Sequence, residues 1–111
     1  MIVFNRIPIA AMVRVPTEAS EGKANIAQGG IACGVNIATG KIDRLWMKGM
    51  VYEVDHFPDE YKHFAHYRVP FWQEVLIYSS TIQYFSDLGY MGIDWVLSDD
   101  GPMLLEVNAR P

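Results

Sequence analysis

The final strands of the chain carry three oxygen-bearing side chains at spacings that could bind a metal ion. Asp94 lies in an apolar run before the turn sequence SDDG, and Glu106 and Asn108 follow that turn two residues apart. Side chains alternate between the faces of a strand, so these even-numbered positions share one face. A turn centred near Asp99 and Asp100 brings Asp94 roughly opposite Glu106, about 5 Å away.

The predicted proximity of the Asp94 and Glu106 carboxylates indicates a cation-binding site. Two negative charges at this separation repel each other unless a positive charge neutralises them. Mg²⁺ takes oxygen ligands and is commonly bound by one or two carboxylates together with substrate phosphates. The hairpin therefore predicts a magnesium–nucleotide site. The alternative is a solvated polar face with two ordinary acids, because any half-exposed strand alternates in this way.

The elements that position the hairpin are predicted to form an antiparallel sheet. β-rich runs alternate with turn signals such as NRIP, TG and DG. Strands are expected at 2–4, 9–15 and 90–97, with a glycine-rich, strand-like stretch at 25–41. A strand pair is expected within 42–54 and a last strand at 102–108. The odd positions of the final hairpin are apolar and form its predicted core face: Ile93, Trp95, Leu97, Met103, Leu105 and Val107.

One helix is predicted, over residues 71–88. Pro70 supplies a start of the N1 type, and Gly89 is the residue expected to end the helix. Apolar side chains recur with a helical period: Phe71, Trp72, Val75, Leu76, Tyr78, Ile82, Phe85 and Leu88. A helix packed on one face of an antiparallel sheet gives an α+β fold.

Composition limits the classes of function. The chain has 111 residues, enough for one small domain, and a formal net charge of -4, which lacks the basic signature of nucleic-acid binding. Its apolar runs fall short of the roughly 20 residues that a membrane span needs. The one cysteine, Cys33, lies in an apolar run and is predicted to be a buried strand thiol. A lone thiol fits a reducing compartment, so a cytoplasmic location is expected.

The last motif, GIDWVLSDDGPMLLEVNARP, resembles the C-terminal part of ATP-grasp ligases in order, spacing and flanking glycine and proline. In that superfamily an Asp on one strand and a Glu-x-Asn on the next hold the metal ions that bridge the ATP phosphates. The resemblance implies that Asp94, Glu106 and Asn108 are ligands of Mg²⁺ or Mn²⁺. It also implies an ATP-grasp type of antiparallel sheet with a packed helix.

An earlier stretch, VRVPTEASEGKANIAQGG followed by GVNIATGK, is similar to the RimK-like α-L-glutamate ligases and most similar to the alpha-L-glutamate ligase-like group. Arg14 falls where that family often has an arginine facing the phosphates. The resemblance covers roughly 11–41 and 71–111, whereas 43–68 matches no motif. The positions that it assigns to nucleotide binding are Lys23, Asn25, Gln28, Gly29 and Gly30.

Two positions depart from the family pattern. Arg110 stands where the better-characterised glutamate ligases carry a small residue, and Gly92 stands where many ligases have an arginine. Arg110 could supply positive charge for a phosphate or a carboxylate, so Arg14 and Arg110 are the candidate catalytic residues. The alternative for Arg110 is an ordinary surface arginine at a strand end.

The resemblance implies a carboxylate–amine ligase that uses ATP and works through an acyl phosphate. Residues 1–111 would then form one partial domain, the C-terminal half of an ATP-grasp fold, with the N-terminal parts absent. Such a fragment is expected to be inactive alone and to expose an apolar sheet face that favours homo-oligomers. Its partners would be small-molecule or peptide acids and amines, with no nucleic acid and no membrane.

Other functions are also compatible with the sequence. A non-catalytic β-rich interaction module, or a degenerate domain that binds ATP without ligation, would also account for the composition. A sugar-linked ATP-grasp protein is hard to separate from a peptide-type ligase. His56, His63 and His66 are interpreted as surface histidines rather than metal ligands. Trp46 and Trp72 are interpreted as core residues.

Overall fold

The computed structural model describes residues 1–15 and 30–109, which belong to two compact units. The first unit comprises Met1–Ala11 with Pro70–Pro111, and the second comprises Met12–Val69. The strand pairs within each unit are antiparallel, and the described residues contain one α-helix, so the predicted α+β class is confirmed. In chain order the elements are β1 (Ile2–Phe4), β2 (Ile7–Val15), β3 (Ile31–Val35), β4 (Ile42–Met47), β5 (Met50–Glu53), α1 (Trp72–Tyr84), β6 (Tyr90–Ser98) and β7 (Gly101–Asn108).

The first unit begins with the predicted hairpin. Its strands run in the order β2-β1-β6-β7. Asn5 and Arg6 form the two-residue turn between β1 and β2, with φ values of 48° and 68°. Two left-handed residues in succession are typical of a type I′ turn, whose twist matches that of the flanking strands. Pro8, which was expected in the turn, lies within β2.

Helix α1 is shorter than predicted. It spans Trp72–Tyr84, so Pro70 lies before its first turn, and Phe85 is the residue that caps its C-terminus. The backbone N–H of Leu88 donates to Ser86 Oγ at 2.8 Å. A serine hydroxyl that binds the nearby backbone competes with helical hydrogen bonding, which explains why the helix ends early.

Gly89 has a different role from the predicted helix stop. Its carbonyl accepts a 2.8 Å hydrogen bond from the backbone N–H of Asn5, at the tip of the first hairpin. A Cβ on Gly89 would lie 3.3 Å from Asn5 Oδ1. The glycine therefore permits a close approach between two backbone segments.

The core of the first unit is small and includes polar groups. Val3, Met91 and Ile93 are fully buried, and Ile82 and Trp95 pack against them. The buried face of α1 carries Trp72, Val75, Ser79 and Gln83. The predicted stripe is therefore wrong in part: Phe85 is 83% exposed, and two of the helix positions that face inward are polar.

The second unit contains the strand order β3-β4-β5. Its core includes Ile31, Cys33 and Leu45, so the prediction of a buried thiol is confirmed. Trp46 is 48% exposed, and its interpretation as a core residue is wrong. Two 3-10 helices, Val54–His56 and Asp59–Phe64, occupy part of the stretch that matches no motif. No helix in the described residues is long and apolar enough to cross a membrane.

Burial of Cys33 leads to a first prediction. Burial raises the pKa of the thiol from an ordinary value of 9.0 to about 11. Between these values the unfolded chain loses the proton while the folded chain keeps it, so the free energy of unfolding should fall as the pH rises. The native protein should also react slowly with a disulfide reagent, because the thiolate is the nucleophile.

The measurement is chemical unfolding across pH 8 to 11 on the wild-type protein and on Cys33→Ala, with thiol labelling of the wild type alongside. The variant should lose stability less steeply over this range. Since the sequence has one cysteine, the labelling rate reports a single site. Labelling of the native protein as fast as in denaturant would contradict the prediction.

Candidate metal site on the final hairpin

Strands β6 and β7 bring the three predicted metal ligands onto one face. Asp94 lies directly opposite Glu106, and Asn108 lies opposite Gly92. Cross-strand partners share a face, and so do residues two apart along a strand. The expected pairing of Asp94 with Glu106 is therefore found, and Asn108 is a diagonal neighbour of Asp94.

One feature of this hairpin departs from the predicted alternation. The register shifts between Asp94 and Trp95, because Trp95 lies opposite Leu104 rather than Leu105. Leu105 is thus an extra residue in β7, which is a β-bulge. On the turn side of the bulge, the odd-numbered residues of β7 no longer lie on the same face of the hairpin as Trp95. The predicted core face is wrong for Met103, Leu105 and Val107, all of which are exposed.

The surroundings of the three donors suit a cation. Asp94 and Asn108 are half-buried and Glu106 is exposed. Within the described residues, none of the three side chains makes a hydrogen bond or an ion pair. Two carboxylates and one amide carbonyl are the hard oxygen donors that Mg²⁺ prefers, with coordination positions left for water and phosphate. The donor set therefore fits the metal that the resemblance implies.

The opposite face of β6 is anchored to the helix. Trp95 Nε1 donates a 2.9 Å hydrogen bond to Ser79 Oγ, and the Ser79 side chain is fully buried. The ring of Tyr78 lies 6.3 Å from the ring of Trp95. Since adjacent residues of a strand point to opposite faces, this anchor holds the backbone next to Asp94 while leaving its carboxylate on the other side.

The remaining predicted site residues lie outside the first unit or outside the described residues. Arg14 is exposed on β2, and Gly30 is buried just before β3; both belong to the second unit. The other five predicted positions lie outside the described residues, so their roles stay predictions: Lys23, Asn25, Gln28, Gly29 and Arg110.

The histidines do not form a competing metal site in the described part of the chain. His56, His63 and His66 are all exposed, as expected for surface histidines. His63 packs against the ring of Phe64 with centroids 4.2 Å apart. No group of three or more His, Cys, Asp or Glu side chains among the described residues is placed to hold a metal ion.

Sequence reasoning missed three residues that shape the site. Ser79 and Gln83 were not among the positions predicted to face the core, although both have helical spacing with Trp72 and Val75. The bulge at Leu105 was predictable from the position of the turn. A two-residue turn at 99–100 pairs Ser98 with Gly101, and a regular ladder from there would place Asp94 opposite Leu105.

The whole chain, residues 1–111, matches the family model described as sugar-transfer associated ATP-grasp. No curated protein and no solved structure matches it. The ATP-grasp resemblance of the final hairpin is thereby confirmed at the level of the superfamily, whereas the RimK-like branch is not confirmed. With a match that spans its whole length, the chain belongs to the sugar-transfer associated ATP-grasp family.

Proposed function

We propose that the protein is an ATP- and Mg²⁺-dependent carboxylate–amine ligase whose metal ligands are Asp94, Glu106 and Asn108. The observation that carries the proposal is the direct cross-strand pairing of Asp94 with Glu106, with Asn108 on the same face. Membership of an ATP-grasp family supports it, because enzymes of that superfamily generally use ATP and Mg²⁺.

In the proposed site, the three donor side chains hold the metal-binding oxygens at fixed positions on the hairpin. Asp94 and Glu106 provide two formal negative charges on a stable β-ladder, and Asn108 adds a neutral oxygen. When bound, Mg²⁺ offsets the negative charge of the phosphates as the phosphoryl group is transferred. The exposure of Glu106 leaves the site open to a substrate as large as a nucleotide.

We assign the positive charge that faces the phosphates, and the contacts to the nucleotide, to the other predicted residues. Arg14 is exposed and has no acidic partner within the described residues, so its guanidinium is available to a phosphate. Arg110 takes the same role in the proposal. The nucleotide contacts are assigned to Lys23, Asn25, Gln28, Gly29 and Gly30, on the resemblance alone.

The proposed reaction has two steps. A carboxylate oxygen of the acid takes the γ-phosphoryl group of ATP, which releases ADP and forms an acyl phosphate. The amine nitrogen then attacks the acyl carbon, loses a proton and displaces inorganic phosphate, so a C–N bond forms and a C–O bond breaks. Because the substrates supply both nucleophiles, the protein contributes positioning and charge neutralisation.

We further propose two candidate classes for the acid and the amine that the enzyme joins. A glutamate ligase-like reaction follows from the similarity around residues 11–41. The family description favours a second candidate, in which one substrate belongs to sugar-transfer chemistry. We also propose that the chain forms one part of a larger ATP-grasp domain, acts in the cytoplasm, and can self-associate through exposed apolar surface.

The test is isothermal titration of Mg²⁺–ATP into the full-length protein and into the variant Glu106→Gln/Asn108→Ala. We expect wild-type binding that disappears in EDTA and a loss of about a hundredfold or more in affinity in the variant, since two ligands are removed. Asp100→Asn is the matched control, because Asp100 is an exposed acid in the turn of the same hairpin.

Each outcome separates the proposal from its rivals. Mg²⁺-dependent binding that the double variant abolishes supports the ligase. Binding without turnover of any acid and amine would favour the degenerate ATP-binding domain. An absence of ATP binding, or equal binding by the variant, would leave a β-rich interaction module whose hairpin acids are only a solvated face.

A further inference from the structure

We propose that the β-bulge at Leu105 is a positioning element that sets the spacing of the three metal donors. The inference rests on the proposed function and deepens it. The bulge lies immediately beside the Asp94–Glu106 pair, on the strand that carries both Glu106 and Asn108. Bulges bend the strand in which they occur and increase its local twist, and they re-aim neighbouring side chains.

The residues on the turn side of the bulge are held firmly. Ser98 Oγ donates to the carbonyl of Gly101 at 2.8 Å and accepts from the N–H of Asp100 at 3.3 Å. Gly101 has a φ of 130°, a conformation that side-chain-bearing residues rarely adopt. A slip by one residue in the ladder from Ser98 to Trp95 would break these turn contacts.

The residues on the far side are held as well. Ile93 is fully buried and lies opposite Val107. A regular ladder continued from the turn would place Glu106 opposite Ile93 instead, on the buried face, where an unpaired carboxylate is strongly unfavourable. With both ends fixed, the extra residue has to be absorbed at Leu105.

Packing does not explain why β7 contains this residue. The Leu105 side chain is 69% exposed, and it is paired with no residue of β6. A strand shorter by one residue would keep Trp95 opposite Leu104 and Asp94 opposite Glu106 without any bulge. Without Leu105, the remaining residues of β7 could form a regular ladder with β6. The effect of the bulge is therefore on the local geometry of the two strands.

The donors of the site are sensitive to that geometry. In a regular antiparallel pair, diagonal neighbours such as Asp94 and Asn108 have Cα atoms about 7–8 Å apart. Mg²⁺ demands near-octahedral oxygens at about 2.0–2.1 Å. Extra twist at the bulge changes the diagonal spacing on the strand that holds two of the three donors, while leaving the direct pair intact.

The test is deletion of Leu105 in the full-length protein, with Leu105→Ala as its matched control. The deletion should weaken Mg²⁺–ATP binding about 10–100-fold, the range for groups that orient metal ligands, while the melting temperature stays the same or rises. The alanine variant keeps the bulge and should bind as the wild type does. Mn²⁺ binding followed by electron paramagnetic resonance gives a readout that is independent of catalysis.

Cross-strand nuclear Overhauser effects between Asp94 and Glu106 would verify that the deletion retains the pair. If the deletion of Leu105 does not fold, deletion of Leu104 produces the same regular ladder with Leu105 opposite Trp95. A folded deletion variant that binds Mg²⁺–ATP as tightly as the wild type overturns the inference and leaves the proposed function standing. A wild-type protein that does not bind Mg²⁺–ATP overturns both.

Discussion

Asp94→Asn is expected to change stability in opposite directions in the absence and the presence of Mg²⁺–ATP. Without metal, Asp94 and Glu106 face each other across the hairpin with no cation from the described residues between them. Removing one charge should raise the free energy of unfolding by about 0.2–1 kcal/mol, the usual size of a cross-strand charge interaction. With Mg²⁺–ATP the variant should lose the stabilisation that ligand binding supplies to the wild type.

The size of the lost stabilisation follows from mass action. A ligand at about a hundredfold above its Kd stabilises the folded state by about 2.7 kcal/mol. The wild type should therefore gain several degrees in melting temperature on addition of Mg²⁺–ATP, and Asp94→Asn should gain little. Because the two effects have opposite signs, a general loss of folding in the variant cannot imitate them.

The measurement is thermal unfolding of both proteins in EDTA and in Mg²⁺–ATP. Asp100→Asn serves as the control, since it removes an acid from the same hairpin at an exposed turn position. The control should respond to Mg²⁺–ATP as the wild type does. If Asp94→Asn lowers stability in EDTA and keeps the full response to Mg²⁺–ATP, Asp94 is a structural residue and the metal-site assignment is wrong.

The sequence predicted the facing of Asp94 and Glu106 more closely than it predicted the bounds of the helix. Alternation of side chains and a turn near Asp99 and Asp100 placed Asp94 within one residue of its observed partner, because both rules are local. The exact pairing with Glu106 depends on the bulge at Leu105, which a regular ladder from the turn does not include. The strand pair within 42–54 and the hairpin at Asn5 were predictable for the same reason. Residues 16–29 and 110–111, which carry most of the predicted nucleotide contacts, lie outside the described part of the chain.

The features that could not be predicted depend on hydrogen bonds made by polar side chains. The end of α1 is set by a serine hydroxyl that binds the backbone, and apolar period alone extends the helix to Leu88. Ser79 and Gln83 are polar, so a rule based on hydrophobic period assigns them to the surface. Their burial depends on partners that are distant in sequence: Trp95 for Ser79, and the first hairpin for Gln83.

Gln83→Leu is expected to destabilise the first unit. Gln83 is 2% exposed, and its Nε2 donates to the carbonyl of Val3 at 3.2 Å. Its Oε1 accepts from the backbone N–H of Arg6, in the left-handed turn of the first hairpin. Leucine would fill the space and leave both backbone groups without this partner. An unsatisfied buried polar group costs roughly 1–3 kcal/mol. The bond to Val3 is buried and the bond to Arg6 is part-buried, so a loss of about 1–3 kcal/mol in unfolding free energy is expected.

The measurement is urea unfolding followed by circular dichroism, with Gln73→Leu as the matched control. Gln73 lies on the exposed face of the same helix, so its replacement changes the composition of α1 equally without touching the hairpin. Amide exchange at Arg6 should speed up in Gln83→Leu alone, because that N–H loses its acceptor. A Gln83→Leu variant as stable as the control would show that added apolar burial offsets the two lost hydrogen bonds. In that case the first hairpin would be held by its turn and by Val3 packing, and the glutamine would be dispensable to the strand next to the candidate metal site.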